Sequence, residues 1–194
     1  MAANGTELVD FLYEVGLLKR YKRIGWVVAG VPDVESIADH SHRTAITAAV
    51  IASLEGADPQ RAAFLALFHD TQETRTTDIP YLGKRYLKAA SPAEVTEDQV
   101  RGLPAPLADT IRGAVREFEG RESAEAVCAR DADKLECLMQ AVEYCSQGSS
   151  HTQAWIDTSL AALKTASAKR LAEEALRRGP LEWMHETRDE KPPL

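Results

Sequence analysis

Two histidines and three aspartates stand inside segments whose other residues have the spacing of buried helices. Within residues 35–56, Ile37, His40 and Thr44 fall on one stripe, because they are separated by three and four positions. His40 is therefore predicted to face inward, whereas His42 lies about 200° further round the helix and faces elsewhere. A single inward histidine is more often a hydrogen-bonded core residue than a ligand, so His40 alone indicates no function.

The dipeptide His69-Asp70 directly follows an apolar run at residues 65–68. Neighbouring residues of a helix point about 100° apart, so both side chains reach one point only at a helix end or a distortion. A helix that ends at a functional site would bring them together. The competing interpretation is a surface dipeptide at a helix C-terminus, where histidine is common.

Asp131 and Asp133 lie in the middle of a long predicted helix at residues 122–147, although aspartate is a poor helix former. A buried carboxylate must be paired or bind a metal. Pairing of the two aspartates with Arg130 and Lys134 on a solvated face is favoured for either aspartate alone. Pairing on a solvated face is not favoured for the histidines and aspartates taken together. Two imidazoles and two carboxylates form a mixed nitrogen and oxygen site for a divalent transition metal. Such a site keeps open positions for water and substrate.

The elements that must position these residues are all predicted to be helices. A helix that begins after Asp33 as its N-cap runs to about residue 54, and Pro59 opens the next one after a turn. Apolar periodicity predicts helices over 6–20, 33–54, 59–68, 81–90, 106–119, 122–147 and 152–178, with 91–106 polar and broken. We therefore predict one all-α domain over residues 1–185 and a disordered tail at 186–194.

Composition and charge exclude several classes of function. The net charge of −7 argues against binding to a nucleic-acid polymer, which needs a basic surface, although a local cationic cluster would suffice for a small anion. No apolar run reaches 18 residues and the N-terminus lacks the pattern of a signal peptide, so no membrane association is expected. The three cysteines form no Cys-x-x-Cys pair, which predicts buried thiols in a reducing cytoplasm.

The ordered set His40, His69-Asp70 and Asp133 resembles the metal ligands of the HD-domain phosphohydrolases. Within that superfamily the chain is similar to the 5′-deoxynucleotidases and related nucleoside 5′-monophosphate phosphatases. The resemblance covers roughly residues 8–148, including "ALFHDTQETRTTDIP" and "DADKLECLMQAVEY". It implies an all-α helical bundle that holds one divalent ion, Co, Mn, Mg or Fe, between its helices. A single ion is predicted because two-metal members generally carry further histidines between the last two motifs, where this chain has none.

The resemblance also implies roles for residues near these ligands. Glu73 matches an acid that orients and deprotonates the attacking water, and Asp78 matches an acid near the scissile bond. Arg23 and Trp26 match a pair that lies near phosphate and sugar, although two residues separate them here. The competing interpretations are a solvated glutamate for Glu73, a helix N-cap before Pro80 for Asp78 and a core residue for Trp26.

Three further basic residues, Arg75, Lys84 and Arg85, could meet additional phosphate charge or lie on a solvated face. The predicted function is that of a metal-dependent phosphomonoesterase that acts on nucleoside 5′-monophosphates, as a homodimer. The alternatives are a hydrolase of nucleoside di- or triphosphates, including a specialised nucleotide of secondary metabolism, and a non-catalytic module that binds nucleotides. Glu73 argues against the last alternative, because binding alone does not need it.

Overall fold

The computed structural model describes residues 5–189, and within that range the regular elements are helices, as predicted. One isolated antiparallel bridge joins Lys22 to Ser36. The elements are α1 Gly5–Val15, a 3-10 turn Gly16–Lys19, α2 Ile24–Val28, α3 Ile37–Glu55, α4 Pro59–Phe68, α5 Glu73–Thr76, α6 Tyr81–Lys84, α7 Pro92–Gln99, α8 Ala105–Gly120, α9 Ala124–Ser146, α10 Gln153–Ala162, α11 Ala166–Arg177 and α12 Glu182–Asp189. None of the helices in the described range has the length and apolar character needed to cross a bilayer.

The core is built where α3, α4 and α9 pack against one another. Small residues on the facing sides of these helices have no exposed surface and allow close approach of the backbones: Ala48, Ala52, Ala62, Ala66, Ala129 and Ala132. Ile51, Leu65 and Leu138 fill the remaining space and are also fully buried. The histidines and aspartates singled out above lie on α3, directly after α4 and on α9, so the packing of these helices sets their relative positions.

The N-cap of α3 is Ser36, which corrects the prediction of Asp33. The Ser36 hydroxyl accepts from the Asp39 backbone N–H, and the Asp39 carboxylate accepts from the Ser36 N–H, which is a complete capping box. A reciprocal pair satisfies two free donors where a lone aspartate satisfies one, so the helix begins three residues later than predicted. The helix ends at Gly56, whose φ of 73° suits glycine.

Residues 91–106, predicted to be polar and broken, contain helix α7. Ser91 and Glu94 form a second capping box, and Pro92 occupies the first turn, where its missing N–H costs nothing. Val95 and Thr96 are buried, the Thr96 hydroxyl accepts from Gln72 Nε2 at 3.0 Å, and α7 packs against the neighbouring helix α8. Local capping and burial of one face therefore outweigh the polar composition.

The single helix predicted over 152–178 is two helices, α10 and α11. The chain breaks at Leu163, which is extended and buried, and Thr165 caps α11 by accepting from the Ala168 N–H. The freed N–H groups of Lys164 and Thr165 donate to the carboxylate of Asp131 on α9. Hydrogen bonds to Asp131, which is distant in the sequence, thus determine where the chain is interrupted between α10 and α11.

Two other predictions need correction. Helix α12 continues to Asp189, so it includes the first part of the tail predicted at 186–194, and residues 190–194 lie outside the described range. Cys128 and Cys137 are buried as expected, but Cys145 is exposed because it lies on the outer side of the last turn of α9.

Candidate functional site

The side chains of His40, His69, Asp70 and Asp133 converge on one point at the centre of the molecule. His40 Nε2 lies 3.3 Å from His69 Nε2, 3.4 Å from Asp133 Oδ1 and 3.7 Å from Asp70 Oδ2. His69 Nε2 lies 3.1 Å from Asp70 Oδ2. Ligand atoms about 2.1 Å from an octahedral ion stand roughly 3 Å apart, so these separations suit a shared cation.

Helix ends and helix faces explain how the four residues meet. His40 points inward from the first half of α3 and Asp133 from the middle of α9, and both are buried. Helix α4 ends at Phe68, with His69 as its C-cap and Asp70 in the turn that follows. The end of the helix lets two adjacent side chains reach one point, which a continuous helix does not allow.

The outer nitrogens of both histidines bond to oxygen atoms. His40 Nδ1 bonds to the Glu136 carboxylate and His69 Nδ1 to the Ala66 carbonyl. If each Nδ1 donates its proton, each Nε2 presents a lone pair toward the other and toward the carboxylates of Asp70 and Asp133. Converging lone pairs repel one another unless a cation lies among them. The donor set therefore fits a divalent metal that accepts nitrogen and oxygen ligands.

Glu136 supports this cluster and was missed in the sequence. Its carboxylate is fully buried and also accepts from Arg43 Nε at 3.0 Å and Nη2 at 2.9 Å. Without a metal, Glu136 and Asp133 outweigh burial and the charge of Arg23 and raise the pKa of His40 to about 10, so a proton on Nε2 takes the place that a metal ion would occupy. The usable signal was the spacing, because Glu136 follows Asp133 by three residues and therefore lies on the same helix face.

Glu35 is a second carboxylate that sequence reasoning missed. Its Oε1 accepts from the Trp26 indole N–H at 2.8 Å and lies 3.9 Å from Arg23 Nε. Burial, with the nearby charge of Glu136, raises the pKa of Glu35 to about 7. Glu35 precedes α3 in an irregular segment, where no periodicity marks it as inward.

Glu73 is half-buried beside the cluster rather than solvated. Within the described residues its Oε2 atom is buried and has no hydrogen-bond partner. Burial, together with the charges of Asp70 and Asp78, raises the pKa of this carboxyl to about 9. A buried polar atom without a partner is costly, so this atom is available to a ligand.

Asp78 does not cap a helix, which corrects one interpretation of it. Helix α6 begins at Tyr81 after Pro80 and has no side-chain cap. The Asp78 carboxylate instead accepts from the Ile24 backbone N–H at 2.7 Å, which joins two segments of the cavity wall. Thr77, directly before it, has φ 59° and ψ 169°, a strained conformation for a β-branched residue.

Arg23 and Trp26 lie together at this cavity despite the two residues between them. Arg23 Nη1 lies 3.4 Å from Asp70 Oδ2, so a guanidinium borders the donor cluster. Trp26 is buried and packs in the main core while one part of it lines the cavity. Trp26 is therefore a core residue that also forms part of the cavity wall.

The other predicted basic residues divide into two groups. Lys84 lines the cavity, but Arg75 and Arg85 do not. Arg75 follows Glu73 by two residues in α5, so its side chain points to the opposite side of the helix. It pairs with Glu14, with Nε 2.7 Å from Oε1. Arg85 lies with its guanidinium 5.7 Å from the Tyr86 ring centre.

The cavity has a volume of about 450 Å³. Its lining includes two cationic side chains of α9 that the sequence suggested only as partners of aspartates. Lys134 Nζ lies 2.9 Å from Asp133 Oδ2, as that interpretation proposed. Arg130 does not pair with Asp131, because it lies over the Phe118 ring at 4.8 Å and near Glu119. Both Arg130 and Lys134 line the cavity, which gives it positive groups on α9.

Comparison with known proteins gives a consistent result. The family model described as "HD domain" matches residues 15–175. A bovine (Bos taurus) protein described as "5′-deoxynucleotidase HDDC2" is 35% identical over 147 residues, which cover 74% of this chain and 71% of that protein. The solved structure of a conserved hypothetical protein from Pyrococcus furiosus is 29% identical with a TM-score of 0.72, over 88% of this chain and 99% of that one.

A second solved structure supports the fold alone, because its sequence identity is 24%. It is a predicted metal-dependent phosphohydrolase from Magnetospirillum magnetotacticum, with a TM-score of 0.66 over 91% of this chain and 95% of that one. The helical arrangement around the donor cluster is thus shared with experimentally determined structures.

Proposed function

This chain belongs to the HD domain family, and from that premise we propose that it is a metal-dependent phosphohydrolase that removes phosphate from nucleoside 5′-monophosphates. The observation that carries the proposal is the convergence of four donor side chains at a cavity that also contains the unpartnered carboxylate of Glu73. The similarity to a 5′-deoxynucleotidase supports the substrate class. Phosphate monoester hydrolysis needs an activated water, a charge-neutralising group and a proton for the leaving oxygen, and the cavity contains candidates for each.

His40, His69, Asp70 and Asp133 are the residues that would hold one divalent ion of Co, Mn, Mg or Fe. Such an ion, when bound, lowers the pKa of water and polarises a phosphoryl oxygen. The Glu136 carboxylate fixes the orientation of the His40 ring through Nδ1, and the Ala66 carbonyl does the same for His69.

Glu73 is the proposed general base. Its Oε2 has no competing partner within the described residues, and burial raises its affinity for a proton. With a pKa of about 9 the carboxyl is protonated at pH 7, and it acts as a base only when the positive charge of a bound divalent ion lowers that pKa. A general base typically contributes about 10²- to 10⁴-fold to the rate. The same atom would also orient the water for attack on phosphorus.

Asp78 is proposed to deliver the proton to the leaving 5′-oxygen. The Ile24 N–H holds one of its oxygens and so fixes the carboxyl at the cavity wall. Arg23 would neutralise phosphate charge through its planar set of donors, and Lys84 would add a second positive group. Trp26, which borders the same region, is proposed to contact the sugar.

The first test is phosphate release from a panel of nucleoside mono-, di- and triphosphates. Protein treated with a chelator is reloaded separately with Mg²⁺, Mn²⁺, Co²⁺ and Fe²⁺, and the variant Asp70→Ala is assayed beside it. We expect turnover of monophosphates that requires metal and falls at least 10³-fold in the variant. Failure of the loaded protein to release phosphate from any nucleotide would overturn the proposal, and tight nucleotide binding without turnover would favour the binding-module alternative.

Hydrolysis of nucleoside di- or triphosphates is a second candidate, favoured by the additional cations at the cavity. Arg130 and Lys134 line it together with Lys84 and Arg23, and extra phosphate groups would bring extra negative charge to meet them. The comparison of AMP, ADP and ATP as substrates decides between the two. Release of phosphate from AMP at the highest kcat/KM supports the monoesterase.

We propose further that residues 1–185 form one phosphohydrolase domain that assembles as a homodimer. One exposed apolar surface in the described part of the chain is a groove of about 370 Å³ between α3, α9 and α11, whose lining includes the exposed side chains of Ile46, Val50 and Trp183. Light scattering coupled to size exclusion should give twice the chain mass of 21.3 kDa, and a monomer at micromolar concentration would contradict the dimer.

The proposed compartment is the cytoplasm. Cys128, Cys137 and Cys145 are all free thiols, as expected of a protein that works under reducing conditions. Fractionation of cells that express the native protein tests this, and recovery from an oxidising compartment would contradict it.

A further inference from the structure

Trp155, on α10, forms part of the cavity wall next to the segment that carries Arg23 and Trp26. A Cβ atom placed on Gly25 would lie 3.2 Å from Trp155 Nε1 and 3.7 Å from Cε2. The glycine between Arg23 and Trp26 therefore leaves the space in which the indole edge lies. The spacing of Arg23 and Trp26 thus has a structural consequence, because the intervening Gly25 leaves room for the Trp155 indole.

The indole of Trp155 rests on other aromatic rings. Its ring centre lies 5.3 Å from that of Trp26 at an angle of 34°, and Trp26 meets Tyr144 edge to face at 5.3 Å. Trp26 is fixed in turn by its hydrogen bond to Glu35. Trp155 remains partly exposed, so a rigidly supported aromatic surface is presented at the cavity.

The chemistry of the cavity differs between its walls. The phosphate would bind near Arg23, Asp70 and Asp133, where the donor cluster and the cations lie. Gly25 and Cys137 also line the cavity; the glycine has no side chain, and the Cys137 thiol is uncharged at neutral pH, since burial raises its pKa to about 11. An uncharged aromatic wall beside a phosphate site suits the base of a nucleotide, since every base has a flat π face.

We infer that Trp155 is a specificity-determining residue, whose indole forms the surface against which the nucleobase of the substrate packs, in space left by Gly25. This inference rests on the proposed function, since it takes the substrate to be a nucleotide. The inference extends the proposed function by assigning the binding of the nucleoside and the binding of the phosphate to different residues. Loss of the indole then weakens binding of the nucleoside and leaves binding of phosphate unchanged.

Calorimetric titration with adenosine and, separately, with inorganic phosphate tests this without any need for turnover. The protein is loaded with the metal that supports activity, or with Mn²⁺ if none does. For Trp155→Ala we expect the Kd of adenosine to rise about 10-fold or more and the Kd of phosphate to stay within about 2-fold. For Trp155→Phe, which keeps a ring on Trp26, the rise should be smaller. In steady-state assays with AMP, KM should rise while kcat stays within about 3-fold.

Gly25→Ala supplies a second variant with an intact tryptophan. Alanine is favourable within α2, so a loss of affinity in this variant cannot come from a weaker helix. Its methyl group would lie 3.2 Å from Trp155 Nε1, close enough to shift the indole by a few tenths of an ångström, so adenosine binding should weaken, but less than in Trp155→Ala. Tyr13→Ala, which removes an exposed aromatic ring outside both the cavity and the proposed dimer groove, is the matched control and should bind adenosine normally.

Two outcomes would overturn the inference. Equal losses of adenosine and phosphate affinity in Trp155→Ala would mean that the indole only supports the fold. Unchanged adenosine binding in Trp155→Ala, with weakened binding in Tyr81→Ala, would place the base on the other wall, where Tyr81 is 89% exposed. Wild-type protein that binds adenosine through Trp155 but hydrolyses no nucleotide would instead count against the proposed function alone.

Discussion

Glu136 shows how a residue that touches no substrate acts on the candidate metal site. Its carboxylate joins His40 Nδ1 to Arg43, so it fixes both the orientation and the tautomer of a ligand. Glu136→Gln keeps an oxygen acceptor but removes the charge that strengthens the imidazole as a ligand. We expect a loss of about 10- to 100-fold in metal affinity, measured by competition with a fluorescent chelator.

Glu143→Gln is the matched control for that change, because Glu143 also pairs with Arg43, at 2.5 Å, but does not contact His40. Its metal affinity should equal that of the wild type. Equal losses in the two variants would mean that Arg43, and not the bond to His40, is responsible.

Glu73→Gln separates catalysis from stability at one residue. The proposed base is lost, so kcat should fall about 10²- to 10⁴-fold. The free energy of unfolding at pH 7 should stay equal or rise, because the wild-type carboxyl must take up a proton when it is buried with its Oε2 atom unpartnered in the described structure, whereas an amide needs none. Phosphate-release kinetics and urea unfolding measure the two effects. A variant with normal kcat, or one as unstable as a core truncation, would show that Glu73 has a structural role.

Among the elements, the junction of α10 and α11 depends on one carboxylate of α9. Asp131 accepts from Lys164 N at 2.9 Å, from Thr165 N at 2.7 Å and from the Thr165 hydroxyl at 2.7 Å. It lies two residues before the proposed ligand Asp133, and the two side chains point to different sides of the helix. The short sequence "DAD" therefore serves both the site and the anchoring of the C-terminal helices, including the helix that carries Trp155.

Asp131→Ala should lower the free energy of unfolding by about 2–4 kcal/mol, because several donors lose a charged acceptor. Metal affinity should change little, since Asp133 is retained. Urea unfolding measures the first and chelator competition the second. Asp157→Ala, which removes an exposed carboxylate that contacts Gln153, should change stability by less than about 0.5 kcal/mol. A stable Asp131→Ala protein would show that the junction is held by packing alone.

The elements α1, α5 and α7 meet at the carboxylate of Glu14. It accepts from Arg75 Nε at 2.7 Å, from Gln99 Nε2 at 2.9 Å and from the Thr74 hydroxyl at 3.0 Å. The hydrogen bond from Arg75 outweighs burial and lowers the pKa of Glu14 in the folded state. Because the folded pKa is below the unfolded value of about 4.3, this stabilisation is present above that pH.

Glu14→Gln should therefore lower the free energy of unfolding by about 1–2 kcal/mol at pH 7. The difference from the wild type should shrink as the pH falls through the folded pKa, because the wild-type carboxyl then takes up a proton as well. Urea unfolding at pH 7, 5 and 3.5 checks the sign. A difference that grows at low pH would contradict the assigned direction.

At the scale of the whole molecule, binding of the metal should add to the stability of the fold. The proposed ligands come from α3, the end of α4 and α9, which pack through small buried residues and meet only in the folded chain. A metal at 100 times its Kd should stabilise the fold by about 2.7 kcal/mol. For a chain of 194 residues this raises Tm by roughly 5–10 °C.

Thermal unfolding with and without a chelator measures this shift. Asp70→Ala, which lacks one ligand, should unfold at nearly the same temperature in both conditions. A wild-type Tm that does not respond to metal, under conditions where metal binding is demonstrated, would mean that the unfolded chain binds the ion equally well.

Much of the fold and of the candidate site was predictable from the sequence because the signals are local. The i+3 and i+4 spacing placed His40 inward, and the apolar run before His69-Asp70 indicated a helix end at that point. Pro59 begins α4 as predicted from its type, and Asp58 is its N-cap. Each of these features depends on interactions within about one helical turn, so neighbours in the sequence are sufficient to define them.

The tertiary structure alone decided what depends on residues far apart in the chain. Asp131 accepts from the N–H of Lys164, 33 residues later, where the predicted helix is interrupted. Glu14 pairs with Arg75, 61 residues later, and this pairing holds the guanidinium away from the cavity. Glu136 reaches His40 across 96 residues, and Trp155 enters the space that Gly25 leaves. Hydrogen bonds and packing at such separations depend on where helix faces meet after folding, and side-chain type and periodicity do not encode that.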